Sequence, residues 1–440
     1  YAAVNLSVSG SEKKHSFYGS INFTDQEGII KSSGFKRVSV IFNTRRQFTD
    51  WLSVRLAINA NYRMEEPNKA IIGGVENGSG AVYLSPVIGP YDRSNPLIEN
   101  SSPINTPVAC VEMIEKNKNS LSNTDALTLT ITPVTGLKIE SQNTFIYYQG
   151  HQYTYWPSSL PKKTDKEGAD AQRFESDKLG FSSENTVSYK ANVKKHTFDV
   201  MAGFSYQAKK GHTLSVKAVG MVSDYLKWNN LNAVTSKENY TISSSASSVV
   251  RESAYARFNY NYASKYYLTM TFRADGSSNF AANRKWGFFP SAALKWNIKK
   301  EDFLKGSRNV SALDIRVSYG RTGNDSLSSF SSLQAYATST DSYLFDGVQG
   351  ASFYPTRVAS PNLSWEKTDM FNVAIEAGFI RDRIKMTAEG YLSNTSDLLL
   401  EVKTIQSTGY ANRYENLGRT SNKGVEFTLE TKNIVKRNFG

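Results

Sequence analysis

The stretch WLSVRLAINANYR, Trp51 to Arg63, alternates from end to end. Leu52, Val54, Leu56, Ile58, Ala60 and Tyr62 are apolar, and between them stand Ser53, Arg55, Ala57, Asn59 and Asn61. A β-strand turns successive side chains to opposite faces, so this segment has one greasy face and one wet face. The pattern returns at Leu127/Leu129/Ile131, Val187/Tyr189/Ala191/Val193, Leu268/Met270/Phe272, Leu313/Ile315/Val317/Tyr319, Phe371/Val373/Ile375/Ala377/Phe379 and Val425/Phe427/Leu429. Roughly 15 strands of about 8–12 residues are expected on this signal. Strands of soluble sheets average ~5–6 residues, whereas a tilted strand crossing a bilayer needs ~9–11. Strand length therefore points to a barrel with lipid outside and water inside.

The connections alternate too. Short ones read SEKKH (11–15), RRQFTD (45–50), VKKH (193–196), ASKY (263–266) and IRDR (380–383). Long ones are expected at 64–125, 148–178, 209–251 and 321–363, and KKEDFLKG (299–306) is expected to form one helical turn. Outer-membrane barrels pair short periplasmic turns with long external loops. Soluble domains seldom carry several loops of that length. Aromatics gather near the strand ends: Tyr147, Tyr148, Tyr266, Tyr267, Trp286, Phe288, Phe289 and Trp296. Interfacial girdles have this look.

Composition narrows the function. The net charge of +12 is spread along the chain with no basic block, which argues against a nucleic-acid site. The single cysteine, Cys110, rules out an intrachain disulfide and a Cys-rich zinc site. His15, His151, His196 and His212 lack metal-ligand spacing, and GGVENGSG (73–80) lacks the ending of a phosphate loop. Neither a catalytic nucleophile motif nor a cofactor-binding motif is visible, so no catalytic, cofactor or metal residue is assigned and an enzyme is not expected. Asp314, Glu376 and Glu389 read as a hydrated channel wall. The chain opens in an alternating segment without Met or a signal peptide, and reads as an internal piece of a longer precursor.

Several long segments carry a resemblance. FYGSINFTDQEGIIKSSGFKRVSV (17–40), RADGSSNFAANRKWGFFPSAALKW (273–296), LDIRVSYGRTGND (313–325), SPNLSWEKTDMFNVAIEAGF (360–379), NTSDLLL (394–400) and YENLGRTSNKGVEFTL (414–429) resemble the SusC/RagA family of TonB-dependent transporters. The resemblance implies an all-β fold, a large antiparallel transmembrane barrel of about 22 strands in the whole protein, set in the outer membrane of a Gram-negative bacterium of the Bacteroidota. Residues 1–440 would form one partial barrel domain, with the plug domain outside this sequence. It further implies TonB-dependent import of a large nutrient, an oligosaccharide or a peptide. The partners would be a SusD-like lipoprotein, the TonB–ExbB–ExbD complex acting through the plug, and outer-membrane lipid. It also admits a dimer of SusC–SusD pairs.

Three other readings stay open at this point. They are a siderophore- or cobalamin-type TonB-dependent transporter without a lid lipoprotein, a passive porin, and a soluble β-rich adhesin or carbohydrate-binding protein. For a large nutrient, the candidate contacts are aromatics in the long loops: Tyr91, Tyr153, Tyr155, Trp156 and Trp228. Their flat faces suit sugar rings or peptide side chains, although rings in loops also pack loops together.

Overall fold

The structure, a computed structural model, describes residues 1–67, 107–160, 168–345 and 348–433. In chain order the first elements are β1 (Ala2–Glu12), β2 (His15–Glu27), β3 (Gly34–Thr49), β4 (Leu52–Glu66), α1 (Pro107–Met113), β5 (Glu115–Ile131), β6 (Leu137–Trp156), β7 (Ala169–Val193) and β8 (His196–Met221). They are followed by β9 (Tyr240–Tyr262), β10 (Tyr266–Ser277), β11 (Trp286–Phe288), β12 (Ser291–Asn297), α2 (Asp302–Lys305), β13 (Val310–Asn324), β14 (Ala335–Phe345) and β15 (Val348–Arg357). The last are β16 (Glu366–Phe379), β17 (Ile384–Ser396), β18 (Leu399–Lys403), β19 (Asn412–Asn416) and β20 (Arg419–Thr431). The expected helical turn is α2, beside the ends of β12 and β13.

One sixteen-stranded sheet runs β1 to β10, then β12, β13, β16, β17 and β20, with β11 pairing on β10. Every neighbour pair in it is antiparallel. The sequence count was close to this number. β1 and β20 end the path and do not pair with each other among the described residues. A second, four-stranded sheet, β14-β15-β19-β18, is built from two excursions at the long-loop end.

Register shows what the alternation achieves. Val4 lies opposite Phe23, Phe23 opposite Val38, Val38 opposite Tyr62 and Tyr62 opposite Leu121, so the apolar residues of five strands share one face. All five residues are exposed. Farther round, Leu268, Leu294, Val317 and Val373 form another such row. A soluble protein rarely leaves an apolar band of this extent in water. The buried hydrophobic clusters lie instead at the long-loop end, around Tyr155 and Met221, around Cys110 and Ile114, and around Phe280 and Trp365.

The strands run farther than the alternation indicated. β6, β7, β8 and β9 have 20, 25, 26 and 23 residues, so they project well beyond a bilayer. The segments read as loops at 148–178 and 209–251 are therefore largely strand: β6 runs on to Trp156, β7 begins at Ala169, β8 runs on to Met221 and β9 begins at Tyr240. Segment 321–363 likewise holds β14 and β15. Beyond the bilayer the outer face meets water and needs no apolar residue, so the ladder continues while its sequence signature stops. RRQFTD is a second correction: β3 continues to Thr49, with a bulge at Gln47/Thr49.

The tight turns lie together at the other end. Gly136, between β5 and β6, has φ +89, and an added Cβ would lie 2.4 Å from the Lys190 carbonyl oxygen. Only glycine fits both the dihedral and the approach. Ala263 and Ser264, between β9 and β10, hold left-handed φ values of 51° and 56°. The Asn261 side-chain oxygen accepts from the Ser264 N–H there at 2.9 Å.

Candidate solute passage and its rim

The face opposite the apolar band is polar and charged. Near the short turns of β2–β6, Arg45, Arg55, Thr128, Lys138, Glu140 and Gln142 line a cavity of about 520 Å³. Farther round, Glu184, Gln207, Arg251, Ser253, Tyr255 and Arg273 line one of about 310 Å³. On the far side an ion-pair ladder climbs four strands. Lys295 on β12 meets Asp314 on β13 at 3.0 Å and Glu376 on β16 at 3.8 Å. Arg316 on β13 meets Glu376 at 3.4 Å and Glu389 on β17 at 3.6 Å. The acids read as a hydrated wall thus take part in a network with two cations. Sequence reasoning missed Lys295 and Arg316. The signal was a charged residue at an inward position, but the pairing needs the register, which no single strand reveals.

The aromatics at the strand ends divide by parity. Tyr266 and Trp296 face outward at the short-turn end, stacked at 6.3 Å, with Tyr262 stacked on Tyr266 at 6.4 Å. Trp286 and Phe288 are exposed at the opposite end. Phe289, expected in a girdle, is instead buried against Trp365 at 5.3 Å. Tyr147/Tyr148, Tyr266/Tyr267 and Phe288/Phe289 are adjacent in sequence, so one ring of each couple must turn inward.

Three of the quoted motifs meet at one place. Phe280 of RADGSSNF packs on Trp365 of SPNLSWE at 5.0 Å, and the Trp365 ring N–H donates to the Lys285 carbonyl at 2.8 Å. Asp325 of SYGRTGND accepts from Arg251 at 2.7 and 3.1 Å and from the Ser277 hydroxyl at 2.8 Å. A Cβ at Gly323 would lie 2.2 Å from the Phe289 ring. These residues tie the long-loop ends of β10, β11, β13 and β16 together, which is structural work.

Four of the five candidate ligand aromatics can be placed; Tyr91 lies outside the described residues. Tyr153, Tyr155 and Trp228 gather on the outer side of the projecting strands. Tyr153 and Trp228 stack at 5.8 Å, and the Arg173 guanidinium lies 5.3 Å from the Tyr153 ring centre. Tyr155 is 3% exposed, packed among Ala169, Ala171, Ala218 and Met221. Its hydroxyl donates to the Asp224 carboxylate, which also accepts from the Ser158 N–H at 3.0 Å and hydroxyl at 2.6 Å. Burial first, and that hydrogen bond second, push the Tyr155 phenol well above its ordinary pKa. Both its ring and its hydroxyl are engaged in clamping segment 222–239 to the end of β6. Trp156 points the other way, inward, against α1 and the Cys110/Ile114/Leu160 cluster, with Lys217 Nζ 5.2 Å from its ring centre. The structure therefore separates Trp156 from the other three.

Comparison with known proteins now fits this geometry. The model of the family described as "TonB dependent receptor-like, beta-barrel" matches residues 115–439. The chain belongs to that family. Its place is the outer membrane. A TonB-dependent receptor of Formosa agariphila is 28% identical over 442 residues, covering 99% of this chain and 44% of the relative. The TonB-dependent receptor SusC of Bacteroides thetaiotaomicron is 27% identical over 479 residues, covering 99% of this chain and 45% of SusC. The chain thus spans less than half the length of the curated relatives it matches. Among solved structures, the RagAB peptide transporter superposes with a TM-score of 0.83 at 23% identity, over 99% of this chain and 48% of that one. FpvA of P. aeruginosa, solved with pyoverdines bound, superposes with a TM-score of 0.57 at 11% identity, over 98% of this chain and 52% of that one. The SusC/RagA character expected from the motifs is borne out, as are the outer-membrane barrel class and the Bacteroidota setting.

Proposed function

We propose that the intact protein imports a large nutrient, an oligosaccharide or a peptide, driven by TonB and working with a SusD-like surface lipoprotein. The observation that carries this reading is the polar inner face walled by arginine, lysine and carboxylate side chains, on a barrel whose fold follows the RagAB peptide transporter far more closely than it follows FpvA. Such a wall suits a hydrated solute rich in hydrogen-bonding groups. On this reading Trp156 is the candidate that offers a ring to the solute, because it faces inward at the rim. Tyr153, Tyr155 and Trp228 shape the rim from outside.

The test is uptake by cells carrying the full-length protein, with labelled oligosaccharides and labelled peptides offered separately. Uptake of one class is expected to vanish when TonB is deleted, and a surface lipoprotein is expected to co-purify. Replacing Trp156 by Ala should lower uptake at limiting solute by about two- to tenfold, the worth of one aromatic contact, at unchanged barrel abundance. TonB-independent uptake would point to a passive porin. TonB-dependent uptake of a chelated metal without a lipoprotein would point to a siderophore transporter.

A further inference from the structure

The inner wall is unevenly charged. On β2 to β5 the inward residues include six cations, Arg37, Arg45, Arg55, Arg63, Lys116 and Lys118, and one acid, Glu65. On β12, β13, β16 and β17 three inward cations stand against four inward acids, most of them joined in the ion-pair ladder. One side of the passage is therefore a basic strip, and the other is nearly balanced.

Within the strip the arginines come in couples. Arg45 lies directly opposite Arg55 near the short turns, and Arg37 lies directly opposite Arg63 farther up the same two strands, roughly 26 Å away at the rise of a strand. Like charges directly opposite each other destabilise a sheet. Arg63 has Glu65 at 3.5 Å, and Lys118 shares that acid at 3.5 Å. Arg37, Arg45 and Arg55 have no carboxylate within ion-pair distance and no hydrogen-bond partner among the described residues. In the cavity that Arg45 and Arg55 line, the acid Glu140 is already held by Lys138 at 2.6 Å and by the Thr130 hydroxyl at 3.2 Å. A guanidinium offers five N–H donors in a fixed fork that matches a carboxylate, so each couple is a half-built anion site.

We propose that this strip selects the solute by charge, and that the solute carries carboxylate groups which seat between the arginines of a couple. A carboxylate there accepts from both guanidiniums and turns their mutual repulsion into two attractions. The two couples lie on one pair of strands, so they are successive stations along the passage. Uronate sugars and acidic peptide side chains present the same group, and the strip suits either. The inference rests on the transport reading and narrows it to an anionic solute.

The test is equilibrium dialysis with the purified full-length protein. The probes are tetragalacturonate, its carboxyl-reduced counterpart, tetraglutamate and tetraglutamine. One acidic probe is expected to bind about tenfold or more tighter than its neutral counterpart, the worth of a charge-assisted hydrogen bond. Which acid it is tells a sugar carboxylate from a peptide one. The double variant Arg45→Gln, Arg55→Gln is expected to cut that preference to about twofold. If it fails to fold, Arg45→Lys, Arg55→Lys keeps the charge, loses the fork and is expected to lower the preference at least threefold. Equal binding of the acidic and neutral forms in both pairs would overturn the proposal. So would a preference unchanged in a folded double variant, the result expected if the arginines hold a carboxylate of their own chain. Uptake by cells is measured separately, so a preference without uptake would contradict the transport reading alone.

Discussion

Glu301 shows how much a single side chain settles at the short-turn end. Its carboxylate accepts from Lys265 at 2.8 Å, from the Tyr266 hydroxyl at 2.7 Å and from the Trp296 ring at 3.1 Å. These bonds, the one from Lys265 foremost, pull its pKa down from 4.5 to about 2. The folded state therefore favours the ionised form, and the stabilisation is complete above the ordinary carboxyl range and lost as pH falls through the folded value. Replacing Glu301 by Gln should lower the unfolding temperature at pH 7, and the gap to wild type should close as pH falls from about 4.5 toward about 2. Thermal unfolding across that range checks this; a gap that does not change with pH would refute it. The sequence placed Tyr266 and Trp296 near an interface, but it offered no sign that Glu301 joins them, since that contact exists only once β10 and β12 are paired. The same limit governed the ligand candidates. Tyr155 and Trp156 are neighbours, both aromatic and both in a segment read as loop. Only the discovery that β6 continues through them shows that one faces inward and the other is buried outside.

At the scale of the element, parity decides what a strand tolerates. Leu56 on β4 lies opposite Leu127, in the apolar band, whereas Ala57 lies opposite Ala126 on the inner face. An arginine at Leu56 should cost ~2–4 kcal/mol, the penalty for a cation on the lipid side near mid-depth, while Ala57→Arg should be close to neutral. Folded barrel recovered from the membrane, measured by resistance to heat in SDS, separates the two; equal losses would mean that the two faces do not meet different solvents. The membrane-crossing part of each strand was legible because lipid demands an apolar residue at every second position. The projecting parts of β6 to β9 were not, because water on both sides makes no such demand.

For the molecule as a whole, the order of strands follows from the chain alone, since consecutive segments pair with one another except where β14, β15, β18 and β19 leave for their own sheet. That excursion was not foreseen, because its strands carry no membrane signal. The motifs between residues 273 and 379 that resemble SusC/RagA proved to be material that ties the outer rim together around Phe289 and Trp365, so they report the fold and leave the solute open. Everything proposed about passage depends on lipid touching one face of this sheet and water the other. The most direct measurement places single cysteines at each position from Leu52 to Tyr62 of the full-length protein in bilayers. It reads quenching of an attached fluorophore by brominated acyl chains and labelling by a water-soluble thiol reagent. Leu52, Val54, Leu56, Ile58, Ala60 and Tyr62 should be quenched by lipid, and Ser53, Arg55, Ala57, Asn59 and Asn61 should be labelled from water. A profile without two-residue periodicity, or water access on both faces, would contradict the account.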